Sequence, residues 1–208
     1  MNFLKFLFIS LCCSILVLLW GCVGIGGTGE VQPTFYYTLE PMDVPSYESS
    51  DDSRIAVGLD RIEVADYLNQ REMTIRTGSN EIRYTERHLW AEKPSDSIQR
   101  VLALNIERQS NKSFEAFALP WPDHSDPEFV LRLEIDAFEG QESPGAKLLV
   151  EVSWRIHNNS SGEFLMEGRY EGARLSWRAG DYSELAEGLS TELAVVAQMI
   201  STDLETLD

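Results

Sequence analysis

Few side chains in this sequence stand at spacings that support catalysis or metal binding. The three histidines, His88, His124 and His157, lie far apart and form no ligand pair of the H-x-x-x-H kind. The chain contains no G-x-S-x-G nucleophile elbow, no P-loop and no dinucleotide-binding glycine motif between a strand and a helix. We therefore predict that the protein has no metal site, no cofactor and no enzymatic activity.

Asp60 with Glu63 and Glu134 with Asp136 are the candidate carboxylate pairs for general acid–base catalysis, in which one group donates a proton and the other accepts one. Both pairs fall in segments that alternate apolar and polar residues, which is the pattern of a strand with one buried face. We interpret these carboxylates as residues of the solvated face of a sheet.

Cys22 is the residue whose setting predicts a defined chemistry. It follows a single basic residue, Lys5, and an apolar run from Phe6 to Trp20, and a glycine-rich stretch comes after it. This layout is typical of a secretory signal that ends in small residues at a cleavage site. Cys12 and Cys13 lie inside the run and would leave with the signal, so Cys22 would be the remaining cysteine, without a partner for a disulfide.

The residues around Cys22 resemble the lipobox of bacterial lipoproteins, with Leu19 three positions before it and Gly21 directly before it; Trp20 departs from the pattern. The resemblance implies a diacylglycerol on the Cys22 sulfur, labelled by palmitate, and cleavage of residues 1–21. Val23 after the cysteine implies sorting to the outer membrane, facing the periplasm. An uncleaved anchor and plain secretion remain as alternatives, although the apolar run falls short of the ~17–25 residues that cross a bilayer.

The predicted mature chain has the size and charge of one acidic domain. Removing residues 1–21 from the 208 leaves 187, enough to bury a sizeable core. Lys5 is the only charge lost, so the formal net charge changes from −17 to −18. Such a surface argues against nucleic acid as a partner, because it would repel the phosphates.

Residue periodicity predicts the elements of this domain. Residues 22–33 form a Gly-rich tether of about 17–20 Å, and residues 34–208 form a single domain. Alternating apolar residues predict strands at 34–39, 54–64, 72–77, 80–85 and 113–119, followed by three long antiparallel strands with turns at 140–145 and 158–162.

Two segments have apolar residues at helical spacing. One begins at Pro94 and ends near Gln109, and the other begins at Tyr182 after a capping-box-like pair, Asp181 and Glu184. The predicted fold is therefore α+β, an antiparallel or mixed β-sheet with two amphipathic helices packed on one face.

Short motifs between Val57 and Leu104 resemble the ABC-type transport auxiliary lipoproteins, typified by PqiC. The matching positions are Tyr67, Leu68, Arg76, Trp90, Ala91, Glu92, Val101 and Leu102. Gln70 and Arg71 depart from the pattern, since the family carries Arg and Pro there. The later strands and the final helix match in order, so the resemblance covers nearly the whole mature chain.

The resemblance implies a non-enzymatic role beside transporters whose core subunits carry mammalian cell entry (MCE) domains and move phospholipid between the inner and outer membranes. This protein would dock an MCE-domain protein at the outer membrane, and homo-oligomer formation stays open. A periplasm-facing lipid-binding carrier and a generic outer-membrane assembly lipoprotein are the alternatives.

Four residues are candidate partner contacts, because aromatic and Arg side chains carry most of the binding energy at interfaces. Trp121 stands between two prolines, and we expect it to be exposed together with Tyr67 and Arg76. Trp90 has two interpretations, a partner contact or a core residue where a helix starts.

Overall fold

The computed structural model describes residues 32–43, 54–110, 114–122, 126–172 and 175–207. The predictions for Cys22, for most of the tether and for His124 lie outside the described residues. The chain divides into two compact units, Met1–Pro33 and Thr34–Asp208, and all elements below belong to the second unit.

The described part of this unit contains nine strands and two helices. The strands are β1 Phe35–Tyr37, β2 Ile55–Leu59, β3 Glu63–Val64, β4 Glu72–Gly78, β5 Glu81–Trp90, β6 Phe114–Ala118, β7 Phe129–Gln141, β8 Lys147–Asn158 and β9 Phe164–Glu171. The helices are α1 Pro94–Gln109 and α2 Tyr182–Glu205. The fold is α+β, as the sequence predicts.

The long strand β7 organises the sheet. Along one side it pairs antiparallel with β8, which pairs antiparallel with β9, so the predicted meander of three long strands is confirmed. Along its other side β7 pairs parallel with β2, β3 and β4 in turn. β6 adds to β2, β5 adds to β4, and β1 adds to β5, which makes the sheet mixed.

Both helices lie on the face of the sheet that carries its alternating apolar residues. α2 approaches β8 closely at Gly188, where a Cβ atom would lie 2.6 Å from Leu148. Further along, the Trp154 indole donates a hydrogen bond to Asp203 at 2.9 Å. α2 begins as predicted, since the Asp181 carboxylate accepts the Glu184 N–H at 3.1 Å and so caps the first turn.

The predicted strand at 54–64 is wrong, because it is broken into β2 and β3. At the break, the side-chain amide of Gln99 on α1 donates to the carbonyls of Leu59 and Asp60 at 3.3 and 3.1 Å. The two carbonyls therefore bind a helix side chain at the point where β2 ends.

Two further strand boundaries also differ from the prediction. β7 continues through Gly140 instead of turning there, because the missing side chain lets Trp177 and Leu185 pack directly on the strand. β5 extends to Trp90 rather than ending at residue 85, because β1 pairs with residues 88–90. Phe164 at the start of β9 is 51% exposed.

Candidate functional site

The face of the sheet opposite the helices, here called the open face, carries most of the predicted contact residues. On β7, Arg132, Glu134 and Asp136 alternate with buried apolar residues and are exposed. The carboxylates predicted to be solvated thus lie on this face. Among the described residues, no group of three or more His, Cys, Asp or Glu side chains could hold a metal ion.

A β-bulge in β7 divides the open face into two regions. The pairing with β8 shifts by one residue between Ile135 and Ala137, which leaves Asp136 as the extra residue. Beyond the bulge the alternation is inverted, so that Phe138 pairs with Val150 on the helix side and Glu139 turns to the open face. The bulge therefore places an acidic side chain among Tyr67, Arg76 and the edge of β4.

Glu139, Arg76 and Tyr67 form what we call the ionic cluster. The Arg76 Nε donates to Glu139 at 2.5 Å, and the Glu139 side chain has no exposed surface. The other guanidinium nitrogens of Arg76 donate to the Tyr67 hydroxyl at 3.2 Å and to the Ser79 carbonyl at 3.3 Å. The Tyr67 hydroxyl donates in turn to the carbonyl of Asp136, the bulge residue, at 3.2 Å.

Burial and charge shift the pKa values of all three members. Burial raises the pKa of Glu139, and the hydrogen bond and charge of Arg76 oppose that rise. Burial, followed by the charge of Glu139, raises the pKa of Tyr67. For Arg76, burial acts to lower the pKa, but Glu139 raises it above its usual value. The guanidinium is therefore charged at every physiological pH.

The expectation that Tyr67 and Arg76 are exposed is wrong, because both are half-buried and their polar atoms are already bonded within the cluster. Trp90 is buried in the hydrophobic core at 5% exposure. Its backbone N–H donates to the Arg71 carbonyl at 2.6 Å. The structure therefore supports the core interpretation of Trp90.

Trp121 lies on the open face at the other side of the bulge, over β2. A Cβ atom on Gly58 would fall 2.6 Å from the Trp121 ring, so the indole can pack here only because Gly58 has no side chain. The indole nitrogen donates to the Leu59 carbonyl at 3.0 Å. The prediction of an exposed Trp121 is wrong in degree, since the residue is half-buried with a fixed ring.

Between Trp121 and the ionic cluster runs a groove of about 340 Å³, here called the charged groove. Arg132 lies directly opposite Arg155 across β7 and β8, and Glu63 lies directly opposite Glu134 across β3 and β7. Like charges in directly opposed positions destabilise a sheet. Asp60 offsets the first pair by binding Arg132 at 3.1 Å.

Sequence reasoning found the polar alternation of β7 but missed Arg155 and the groove. Strand alternation predicts that Arg132 and Arg155 each face solvent, but only the pairing register shows that they are neighbours. The groove contains no buried nucleophile and no enclosed chamber. Chemically, it presents charged hydrogen-bonding groups at the surface.

The family described as ABC-type transport auxiliary lipoprotein component matches residues 37–201. The chain belongs to this family. The family is one of transport accessory lipoproteins and not a known enzyme family, and the match confirms the resemblance seen in the sequence motifs. A search of curated proteins finds no match.

Solved structures show the same fold. One uncharacterized protein superposes with a TM-score of 0.66 at 17% identity, covering 83% of this chain and 99% of its own. Protein XCC0632 from Xanthomonas campestris, of family DUF330, superposes with a TM-score of 0.64 at 13% identity, covering 84% and 99%. In the described part of this lipoprotein, no helix combines the length and apolar character that crossing a bilayer requires.

Proposed function

We propose that this protein is an outer-membrane lipoprotein, anchored through Cys22 and facing the periplasm, that docks an MCE-domain protein of an ABC-type phospholipid transport system. It acts without catalysis and without a cofactor. The family match supports the accessory role in transport. The lipobox-like residues and Val23 support the anchor and its membrane.

The observation that carries the docking role is the open face. No described helix covers the charged groove, which the residues around Asp60, Arg132 and Arg155 line. Arginine and tryptophan are enriched at the energetic centres of protein interfaces. Three arginines and three carboxylates line the groove, so its charges balance within a chain whose formal net charge is −17. Such mixed charges, with the half-buried Trp121 on the same face, favour a protein partner.

We rank the four candidate contacts by their surroundings. Trp121 is the primary one, because its ring is held in place by Gly58 and Leu59 and still reaches solvent. Tyr67 and Arg76 support the docking face from within, since their polar atoms are bonded to each other and to β7. Trp90 contributes through the core alone.

A lipid carrier is less well supported than a docking protein. A site that encloses an acyl chain is expected to be concave and mostly apolar. Three grooves on the described surface have volumes of about 340, 420 and 620 Å³, but each opens to solvent and has charged side chains in its wall. We therefore favour contact with a protein over sequestration of a lipid.

Co-purification from detergent-solubilised membranes tests the docking role. Tagged wild-type lipoprotein should bring down an MCE-domain protein, identified by mass spectrometry. Trp121→Ala and Arg155→Gln should each reduce its recovery by about tenfold or more, as expected when an interface residue that carries about 1.4 kcal/mol or more is removed. Arg76→Ala should also reduce it, with a loss of stability that Arg155→Gln does not share. Trp121→Ala loses the packing on Gly58 and the hydrogen bond to Leu59, so its melting temperature is measured together with its recovery of partner.

Arg100→Gln is the matched control, because Arg100 is an exposed arginine on α1 that pairs with Glu92 on the helix side of the sheet. Its recovery of partner should equal that of wild type. If wild type brings down no MCE-domain protein but retains stoichiometric phospholipid, the carrier role replaces the docking role. Capture of an outer-membrane assembly component instead would favour the generic assembly role.

A further inference from the structure

A stack of aromatic rings connects the core to the surface at β1, the first described strand. The ring of the buried Tyr182 lies 3.9 Å from that of His88 at an interplanar angle of 25°. His88 lies 5.4 Å from Phe35 at 10°. A hydrogen bond of 2.8 Å joins the Tyr37 hydroxyl to the His88 Nδ1. Phe35 is therefore held in a fixed position although 49% of it is exposed.

Phe35 and Tyr36 are successive residues of the edge strand β1, so their side chains point to opposite faces of that edge. With Met42 they form an exposed apolar edge, here called the β1 patch. Tyr36 is 61% exposed and Met42 is 46% exposed. Tyr36 and Met42 line one groove of about 420 Å³ that runs along the first half of α2. Large apolar side chains that are clustered and exposed mark an interaction surface, because apolar area left in water costs free energy that burial against a partner recovers.

The position of the patch in the chain indicates what covers it. Residues 23–34 alone separate Phe35 from Cys22. A Gly-rich segment of that length spans about 17–20 Å, less than the ~40–45 Å thickness of a bilayer with its headgroups. A membrane to which Cys22 is attached is therefore within reach of the patch.

The residue types fit the headgroup boundary of a bilayer. Aromatic side chains concentrate there, and tyrosine does so because its ring is apolar while its hydroxyl reaches water. The stack beneath the patch carries no charge, since burial and the charge of Arg87 lower the pKa of His88 and keep the ring neutral at neutral pH.

We propose that the β1 patch is a second, non-covalent membrane contact, in which Phe35, Tyr36 and Met42 enter the headgroup boundary of the leaflet that holds the acylated Cys22. This inference rests on the proposed lipid anchor. The contact orients the domain, because β1 and β9 are opposite edges of the sheet. With β1 at the bilayer, β9 points away from it.

The charges beside the patch select the lipid. Glu40 and Glu187 line the groove beside Tyr36, and anionic headgroups would repel both. The patch therefore fits zwitterionic phospholipid, and its contact with the bilayer should weaken as anionic lipid is added.

The test uses the acylated full-length protein purified from membranes and reconstituted into phosphatidylethanolamine–phosphatidylcholine vesicles. A fraction of the lipid carries a photoactivated diazirine near its carbonyl groups, and mass spectrometry locates the labelled peptides. Phe164 is the matched internal control, since it is a phenylalanine of 51% exposure on the opposite edge strand. Peptides that contain Phe35, Tyr36 and Met42 should be labelled at least tenfold more than the peptide that contains Phe164.

Two variants complete the experiment. Phe35→Ser with Tyr36→Ser should abolish the labelling of the patch, whereas Phe164→Ser should leave it unchanged. Circular dichroism and the melting temperature of each variant verify that it is folded.

The outcomes separate the patch from the anchor. Protein that fails to float with vesicles overturns the lipid anchor and the patch contact together. Protein that floats, but whose patch is labelled no more than Phe164, overturns the patch contact and leaves the anchor intact. If the patch is unlabelled and the double serine variant loses the MCE-domain protein, the patch is a protein contact, and the membrane assignment is wrong.

Discussion

Two arginine–carboxylate pairs on the open face share their chemistry and differ in their surroundings. Arg76 meets Glu139 at 2.5 Å, with 23% and 0% of their side chains exposed. Arg132 meets Asp60 at 3.1 Å, with 61% and 37% exposed. One pair lies on each side of the β7 bulge. The first fixes the β3–β4 connection to the sheet, and the second leaves its charges available to a partner.

The contrast shows why an arginine on this face is not by itself a binding residue. A buried carboxylate has lost its hydration and depends on its partner, so removing that partner leaves an uncompensated charge. An exposed pair is hydrated and screened by salt, so its contribution to folding is small. Within one sheet face, burial therefore distinguishes residues that stabilise the fold from residues that are available to bind a partner.

The largest expected effect comes from breaking the buried pair. Arg76→Met keeps most of the apolar length of the side chain but leaves Glu139 charged and buried. We expect a loss of about 3–5 kcal/mol in the free energy of unfolding, measured by urea denaturation at pH 7. Arg76→Met combined with Glu139→Leu should recover most of the loss, because no unpaired charge remains. A single-variant loss below about 1 kcal/mol would show that Glu139 is reached by water.

A substitution on the helix-covered face should lower the free energy of unfolding by a similar amount without involving charge. Leu189 on α2 is 1% exposed, and Leu189→Ala should cost about 2–5 kcal/mol. Glu187→Ala, at an exposed position on the same helix, should change stability by less than about 0.5 kcal/mol. Thermal unfolding of both variants measures the difference. Equal, small effects would mean that the stripe of α2 does not pack on the sheet.

A third, smaller effect is the pH dependence that Glu139 gives to stability. Burial raises its folded-state pKa above the ordinary value of 4.5, so the folded protein binds this proton more tightly than the unfolded chain. The contribution of this proton to the free energy of unfolding is fully present below pH 4.5 and is lost as the pH rises through the raised pKa of the folded state.

Glu139→Gln should remove this dependence. The unfolding free energy of wild type minus that of Glu139→Gln should decrease as pH rises from 4 to 7, as measured by urea denaturation at several pH values. Asp60→Asn, on the exposed pair, serves as the comparison. A difference that increases with pH would mean that Arg76 outweighs the burial of Glu139 and lowers its pKa below the ordinary value.

The sequence predicted the helices and the meander because their signals are periodic. The spacing of Leu185, Leu189 and Leu193 predicts the buried stripe of α2, and all three are at most 1% exposed. The alternation of β7 up to Asp136 likewise predicts which side chains face solvent. Each of these signals lies within one element, so a single sequence contains it.

The ionic cluster could not be predicted, because the bulge at Asp136 inverts the alternation that sequence analysis extends along β7. Continued without the bulge, the pattern would point Glu139 toward the helices and Phe138 toward solvent, the opposite of the pairing in the sheet. The packing of Trp121 on Gly58 and the stacking of Phe35 on His88 join residues that are far apart in the chain. No local pattern indicates such contacts.

The smallest effect on stability should come from breaking the exposed pair. Arg132→Gln removes an ion pair with Asp60, but it also removes the repulsion between Arg132 and the directly opposed Arg155. These contributions oppose each other, and exposed pairs are worth about 0–1 kcal/mol. Urea denaturation should therefore show a change below about 1 kcal/mol that shrinks further in 1 M salt, where the Debye length is about 3 Å.

The same variant should still reduce recovery of the MCE-domain protein, because Arg132 lines the charged groove. A loss of stability comparable to that of Arg76→Met, with partner recovery unchanged, would make Arg132 a structural residue and remove it from the docking face.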